Sequence, residues 1–227
     1  MEDQAKEQIK KKTKVVSLKL VALLAVFLLT LFIFWLIAGE IVLEHESGFD
    51  TFIFHKLAAI TSPSLTKVML FFTFLGSSEF LLPAYILITL YYLFFKKNSK
   101  LTLNVSAIGL TSTALLFLFK HIFQRARPID PLVKNLVGFS FPSGHSFSAF
   151  TFFGLIIYIL WQAKIKNTWK WIFSVVCFLI ALSIATSRVY LHAHFASDVI
   201  AGFCLSTMWL IISFWLLNII DTKFKLK

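Results

Sequence analysis

Residues 18–38 read LKLVALLAVFLLTLFIFWLIA, and Lys19 is the one charged residue among them. A helix needs about 20 predominantly apolar residues to cross the hydrocarbon core of a bilayer. This stretch therefore predicts a membrane-spanning helix. Its apolar run exceeds the roughly 7–15 residues of a secretory signal, and no A-x-A cleavage site follows it. These features favour an anchor that is not cleaved.

Five further stretches of this kind follow, at residues 79–95, 101–119, 145–163, 171–187 and 198–218. Segment 51–75 differs, because charged side chains interrupt it and Pro63 breaks it. We expect that segment to form a pair of helices on the outer face or an extension of the following span. The fold predicted is all-α, a polytopic membrane helix bundle with six transmembrane helices.

The composition agrees with this fold: 58% of the residues are hydrophobic and only 15% are charged. An average soluble domain is nearer to half apolar and a quarter charged. A soluble enzyme, a disordered chain, a collagen-like fibre and a disulfide scaffold are therefore excluded. The two cysteines, Cys177 and Cys204, both lie in apolar runs without zinc-type spacing. They indicate neither a disulfide framework nor a structural metal site.

The net charge of +11 is concentrated on one side of the predicted membrane. Fifteen of the 22 basic residues lie in the two termini and in the loops that precede residues 101 and 171. The positive-inside rule makes that side cytoplasmic. We expect residues 1–17 and 221–227 to be cytoplasmic basic tails and residues 18–220 to be one six-span domain. This distribution removes the support for a nucleic-acid partner.

The loop between the third and fourth spans begins KHIFQRARP (120–128) and ends FPSGHS (141–146). Lys120 and Arg127 are seven residues apart, so they share one face if the third helix continues to Pro128. All three arginines of the chain, Arg125, Arg127 and Arg188, fall on the predicted outer side. A guanidinium matches phosphate oxygens bidentately. Interfacial snorkelling or pairing with nearby acids is the alternative explanation.

Ser143, Gly144 and His145 directly precede the fourth span. The N-terminus of a helix offers free N–H groups and a positive dipole end to an anion. Gly144 allows the backbone to approach an oxyanion, and His145 can give a proton to the same anion. Alone the stretch would be a helix cap, but beside Lys120 and Arg127 it predicts a phosphate site.

The segment SRVYLHAHFASD (187–198) joins the fifth and sixth spans. His194 and Asp198 are four residues apart at the predicted start of the sixth helix, so their side chains are expected to face each other. The carboxylate would fix the imidazole tautomer and leave one ring nitrogen free to attack. A lone His–Asp pair is more often structural, but ionisable groups at membrane depth are usually functional. His192 is a competing candidate.

The motifs K-x6-R-P, P-S-G-H and S-R-x5-H-x3-D are complete, in this order, and each lies at the expected end of a span. In these motifs the chain resembles the type 2 phosphatidic acid phosphatase superfamily of membrane lipid phosphatases. The resemblance covers the chain closely from the third span onward. Within the family, the small size and the basic tails are most similar to the bacterial phosphatidylglycerophosphatases, which implies a bacterial cell membrane.

The resemblance implies that His194 is a nucleophile forming a phosphohistidine, that Asp198 orients it, and that His145 protonates the leaving oxygen. The residues implied to bind the phosphoryl oxygens are Lys120, Arg127, Ser143, Gly144 and Arg188. The x5 spacing selects His194 over His192. The residues left without an assured role are Arg125, His121, Tyr190 and Ser187. Near the motif loops the sequence offers only two carboxylates, Asp130 and Asp198, so we expect a route without a metal or cofactor.

The expected substrate is a lipid phosphomonoester at the extracytoplasmic face, with phosphatidylglycerol phosphate as the first choice. Undecaprenyl pyrophosphate and phosphatidic acid are the alternatives. The lipid and the bilayer are the only partners indicated, with no nucleic acid and no obligate protein. Soluble vanadium haloperoxidases are similar in the motifs, but the spans oppose that class. A transporter should have charged residues deep in several spans and a pair of discontinuous helices. The spans of this chain are nearly free of charge except at their outer ends, which opposes that class. A purely structural membrane protein would leave the ordered motifs unexplained.

Overall fold

The structure is a computed structural model that describes residues 2–44, 48–134 and 136–225, with side chains over 18–40, 48–134 and 136–220. Within these residues all regular elements are helices. They are α1 (Glu2–Glu44), α2 (Gly48–Ala58), α3 (Pro63–Leu75), α4 (Ser78–Leu90), a π-helical turn (Tyr91–Phe95), α5 (Ser99–Phe123), α6 (Gly144–Gln162), α7 (Asn167–Tyr190) and α8 (Ala196–Lys225).

In the part of the chain that the structure describes, six stretches are long and apolar enough to cross a membrane: Leu18–Glu40, Ser78–Phe95, Ser99–Phe123, Gly144–Gln162, Asn167–Tyr190 and Ala196–Ile220. They coincide with the six predicted spans, so the predicted all-α bundle is confirmed. Large apolar side chains such as Leu87 and Leu110 point away from the bundle and are more than half exposed. An apolar surface of this extent is stable against lipid and not against water. Helix α1 continues unbroken from the basic N-terminal segment into the first span.

Segment 51–75 forms a pair of helices, α2 and α3, and not an extension of the following span, which was the other alternative that the sequence left open. Helix α3 begins at Pro63, and the side chain of Ser62 accepts a hydrogen bond from Leu65 N at 3.3 Å. The hydroxyl of Tyr190, at the end of α7, lies 3.1 Å from both Ser62 N and Thr66 Oγ1. These contacts fix the beginning of α3 against the end of α7.

Helix α6 packs between α7 and α8, while α1 covers α8. The contact between α6 and α8 depends on Gly202. A Cβ atom at Gly202 would lie 2.9 Å from Ser143 O and 3.2 Å from Phe147 N. Any larger residue would push these helices apart, so glycine lets the beginning of α6 lie directly against α8.

Neighbouring helices in the second half of the chain run in opposite directions. Helices α5 and α7 therefore end at the same end of the bundle at which α6 and α8 begin. All three sequence motifs lie at these four helix ends. The antiparallel order of the spans thus brings residues more than 70 positions apart to one site.

Candidate active site

His194 and Asp198 lie together in the interior, with 2% and 0% of their surfaces exposed. His194 Nδ1 is 3.5 Å from Asp198 Oδ2. On the opposite edge of the ring, His194 Nε2 is 3.3 Å from Arg127 Nη1. One ring nitrogen therefore faces a carboxylate, while the other faces a cation.

The turn before α8 brings the pair together. The prediction that both residues lie at the start of the sixth helix is right for Asp198 and wrong for His194, because α8 begins at Ala196. The backbone N–H of His194 donates to Arg188 O at 3.2 Å, and Phe195 N donates to Asp198 Oδ2 at 2.9 Å. A tight turn capped by the carboxylate, and not helical periodicity alone, therefore sets the distance between them.

Helix α5 ends earlier than the sequence suggested. The condition under which Lys120 and Arg127 would share one helix face, a third helix that continues to Pro128, is not met, because α5 ends at Phe123 and Gln124 adopts the left-handed conformation with φ of 47°. Lys120 lies in the last helical turn, whereas Arg127 reaches the site from the following loop. The two cations still come together, because the chain folds back over the end of α5.

Neutral acceptors hold both of these cations. Arg127 donates three hydrogen bonds of 2.9 Å, to the carbonyl oxygens of Val137, Gly138 and Ala193. Lys120 Nζ donates to the carbonyl oxygen of Phe139. These carbonyls fix the position of each cation without cancelling its charge, so the positive charge remains available to an anion.

Arg188, at the end of α7, is 4% exposed, and its Nη1 donates to Thr73 Oγ1 of α3. Its Nε has no hydrogen-bond acceptor among the residues with described side chains. His145 lies against the α3–α4 turn, since a Cβ at Gly76 would be 3.3 Å from His145 Cδ2. The charged and titratable groups that act on His145 electrostatically are Arg188, His194, Arg127 and Lys120. The α3–α4 turn is a wall of the site that the motifs did not predict.

Ser143 serves mainly to begin α6. Its Oγ accepts from the backbone N–H and the hydroxyl of Ser146, at 3.5 and 3.0 Å. Its own N–H donates to Asp198 O at 3.0 Å. A Cβ at Gly144, the first residue of α6, would lie 3.7 Å from Lys120 Cε. The structure therefore places Gly144 beside the cations and ties Ser143 to α8.

Burial lowers the pKa of His194 to about 4, against the opposing effect of the hydrogen bond and negative charge of Asp198. The cations Arg188 and Arg127 act in the same direction as burial. The imidazole is therefore neutral at pH 7, as a nucleophile must be. Burial also lowers the pKa of Arg127, but a guanidinium remains charged at neutral pH.

A second buried carboxylate belongs to this region. Asp50 of α2 is 1% exposed, and its Oδ2 accepts from Arg125 Nη2 at 2.9 Å. The prediction that Asp130 and Asp198 are the only carboxylates near the motif loops is therefore wrong. The feature of the sequence that could have indicated Asp50 is its position as an acidic residue in a largely apolar segment. Ser140 was missed as well, and its hydroxyl donates to Asp198 Oδ2.

Residues without an assured role from sequence lie in structural positions. The ring of His192 packs against Phe54 at a centroid distance of 4.7 Å, beside a groove that also contains Asp130. His121 bonds within its own helix, at 2.8 Å from Phe117 O, and the hydroxyl of Ser187 donates within α7. Of the two histidines in the third motif, only His194 faces the cations.

Among residues 18–40, 48–134 and 136–220, no group of three or more His, Cys, Asp or Glu side chains is placed to hold a metal ion. The charge at the site comes instead from Lys120, Arg127 and Arg188. Phosphoryl transfer requires positive charge around the equatorial oxygens and a nucleophile in line with the leaving oxygen. These three cations supply the positive charge, and the neutral imidazole of His194 is the candidate nucleophile.

Comparisons with known proteins agree with this chemistry. Phosphatidylglycerophosphatase B of Bacillus subtilis is 34% identical over 199 residues, which is 86% of this chain and 95% of that protein. An undecaprenyl-diphosphatase of Sulfolobus acidocaldarius is 28% identical over 191 residues, 82% of this chain and 84% of that protein.

Two crystal structures share the fold. The transmembrane PAP2-type phosphatidylglycerolphosphate phosphatase of Bacillus subtilis superposes with a TM-score of 0.76 at 31% identity, over 87% of this chain and 96% of that one. LpxE of Aquifex aeolicus superposes with a TM-score of 0.60 at 24% identity, over 75% of this chain and 98% of that one. The family model of the PAP2 superfamily matches residues 100–220, which contain all three motifs. The chain therefore belongs to the PAP2 superfamily, and it is a lipid phosphatase with several membrane spans.

Proposed function

We propose that the chain hydrolyses a lipid phosphomonoester, with phosphatidylglycerol phosphate as the preferred substrate, through a phosphohistidine at His194. The observation that carries the proposal is the placement of His194, with Nδ1 towards Asp198 and Nε2 towards Arg127. The similarity to phosphatidylglycerophosphatase B of Bacillus subtilis supports the choice of lipid.

In the first half of the reaction, the lone pair of His194 Nε2 forms a bond to phosphorus. The bond from phosphorus to the lipid oxygen breaks, and its electron pair stays on that oxygen. Protonated His145 gives its proton to the oxygen, so the lipid leaves as an alcohol. Asp198 stabilises the positive charge that develops on His194.

In the second half, a water molecule attacks the phosphohistidine. Neutral His145 takes a proton from the water, and the bond between phosphorus and Nε2 breaks. Inorganic phosphate and the starting imidazole result. Lys120, Arg127 and Arg188 stabilise the charge on the phosphoryl oxygens in both halves, and the buried Arg188 Nε, which has no acceptor among the described side chains, can donate to one of them.

The membrane determines which phosphates are good substrates. The outward faces of the spans are apolar, so the tail of a lipid can remain in the bilayer while its phosphate enters the site. Retaining the tail in an apolar medium is worth about 0.8 kcal/mol per CH2 group. A water-soluble phosphomonoester lacks this contribution.

A prenyl diphosphate is the second candidate substrate. The observation that favours it is the similarity to the undecaprenyl-diphosphatase of Sulfolobus acidocaldarius, at lower identity. The same nucleophile and cations would act on the terminal phosphorus, and the prenyl monophosphate would be the leaving group. The two candidates differ in head group and tail and not in mechanism.

Purified protein should release phosphate from phosphatidylglycerol phosphate faster than from phosphatidic acid or undecaprenyl pyrophosphate, measured side by side in mixed micelles. Activity should survive EDTA, because the cations of the chain supply the charge, and vanadate should inhibit by occupying the phosphoryl position. A requirement for magnesium would contradict the mechanism. Equally efficient cleavage of a soluble monoester would contradict the assignment of a lipid substrate.

We also propose that the site faces the outside of a bacterial cell membrane, with residues 1–17 and 221–227 as cytoplasmic tails flanking the domain at residues 18–220. The support is the excess of basic residues at the other end of the bundle. In a background without Cys177 and Cys204, Lys134→Cys should react with an impermeant thiol reagent in intact cells. The matched variant Lys166→Cys, in the loop between α6 and α7, should react only after lysis. The reverse pattern would overturn the orientation.

A further inference from the structure

A line of buried charges extends from the catalytic pair to α2. Asp198 Oδ1 accepts from Arg125 Nη1 at 2.7 Å, and Arg125 Nη2 donates to Asp50 Oδ2 at 2.9 Å. All three residues are at most 4% exposed. Because burial removes solvent screening, each of these charges acts strongly on its neighbours.

Ser197 closes this line into a network. Asp50 accepts from the backbone N–H and from the hydroxyl of Ser197, at 2.8 and 2.6 Å. The same hydroxyl accepts from Arg125 Nη1 at 2.8 Å. The guanidinium also lies 3.9 Å above the ring of Phe195. Asp50 therefore fixes both the first turn of α8 and the guanidinium that binds Asp198.

The two oxygens of Asp198 have different tasks. Oδ1 faces Arg125, whereas Oδ2 faces His194 and accepts from Ser140 and Phe195 N. A guanidinium that is not held by the carboxylate of Asp50 can turn to bind both oxygens of Asp198 in a bidentate pair. Such a pair at Arg125 would withdraw Oδ2 from His194.

We propose that Asp50 is a positioning residue for the phosphatase reaction, which holds Arg125 so that Asp198 keeps one oxygen directed at His194. This inference rests on the proposed role of His194 as the nucleophile. Asp50 touches neither His194 nor the phosphate position and acts through Arg125 and Asp198. Helix α2, which lies outside the three motifs, thereby becomes part of the catalytic apparatus.

The charged and titratable groups around His194 come from every helix end at the site: Asp198 of α8, Arg188 of α7, His145 of α6, Lys120 of α5 and Arg127 of the loop. Asp50→Asn leaves all of them in place and removes one negative charge behind Arg125. The less compensated cation should stabilise neutral His194, so the acid limb of the rate profile should move to lower pH. The sign follows because a base near extra positive charge binds its proton more weakly.

With the lipid phosphate as substrate, Asp50→Asn should lower kcat by about 10- to 100-fold, the usual loss when a group that orients a reacting residue is removed. KM should stay within about twofold, because Lys120, Arg127 and Arg188 are unchanged. The matched control is Asp130→Asn, the same chemical change at an exposed loop residue with φ of 54°, a conformation that asparagine also adopts. This control should keep the kinetics and the pH profile of the wild type.

The double variant Asp50→Asn/Arg125→Gln guards against a folding defect of the single variant, because it removes the buried Asp50–Arg125 ion pair as a whole and does not leave Arg125 with its charge less compensated. Loss of the cation beside Asp198 should move the acid limb to higher pH, opposite to the single variant. The proposal would be overturned if a folded variant kept the acid limb of the wild-type pH–rate profile and lost activity only in proportion to its folded fraction. Failure of both variants to fold would also overturn it, because Asp50 would then be structural. Inactive wild-type protein would instead refute the proposed function.

Discussion

Replacing His194 by alanine should abolish hydrolysis of every lipid phosphate, with a loss in kcat of at least about 10⁴-fold. The imidazole is the nucleophile in the proposed mechanism, and of the two histidines near the three cations it is the one whose Nδ1 lies beside Asp198. Its Nε2 lies 3.3 Å from Arg127 Nη1, so in the proposed mechanism a phosphoryl group on Nε2 would lie beside this guanidinium. The measurement is phosphate release by purified protein in mixed micelles.

The matched control is His192→Ala, two residues away in the same turn. The ring of His192 packs on Phe54 and not on the site, so this variant should retain most of its activity. Brief reaction with labelled substrate should also leave an acid-labile, alkali-stable label on wild-type protein and none on His194→Ala. Equal losses in the two variants would remove His194 from its role.

Asp198→Asn should lower kcat by roughly 10⁴-fold, as in other enzymes where a carboxylate holds a catalytic imidazole in one tautomer. An asparagine NH2 group facing Nδ1 would favour the tautomer that carries its proton on Nε2, and that nitrogen could no longer attack. The loss should appear in kcat, since the cations that we propose to bind phosphate are retained.

Asp130→Asn again serves as the control for replacing a carboxylate by an amide. Thermal unfolding of Asp198→Asn should be measured as well, because Arg125 loses a carboxylate partner at 2.7 Å in that variant. Inhibition of the folded variant by vanadate would show that the phosphate position is intact. A folded Asp198→Asn protein with near wild-type turnover would exclude the proposed His–Asp pair.

The spans and the three motifs could be predicted from sequence because both depend on local patterns. An apolar run of about 20 residues is a signal that needs no knowledge of the rest of the chain. The motifs lie at the ends of consecutive antiparallel spans, so their convergence follows from the order of the helices. Lys120 and His145 come together for this reason even though α5 ends at Phe123.

Other parts of the site depend on contacts between distant residues. Asp50 is 147 positions from Ser197, and no local pattern pairs a lone acid in an apolar helix with that residue. The contact of Arg188 with Thr73 depends on how α3 packs against α7. The distance between His194 and Asp198 depends on a turn whose hydrogen bonds return to Arg188 O. Spacing predicted that His194 and Asp198 face each other, but hydropathy and spacing carry no information on the contacts of Asp50 and Arg188.

The three carbonyl oxygens that hold Arg127 affect how the catalytic cycle ends as well as how it begins. Since these acceptors fix the guanidinium before any ligand arrives, little reorganisation is needed when a phosphoryl group binds. Inorganic phosphate presents the same oxygens to the same rigid cations. In the proposed mechanism, the arrangement that favours the phosphoryl group in the transition state would therefore also retain the product, and we expect departure of phosphate to compete with the chemical steps as the slowest stage of turnover.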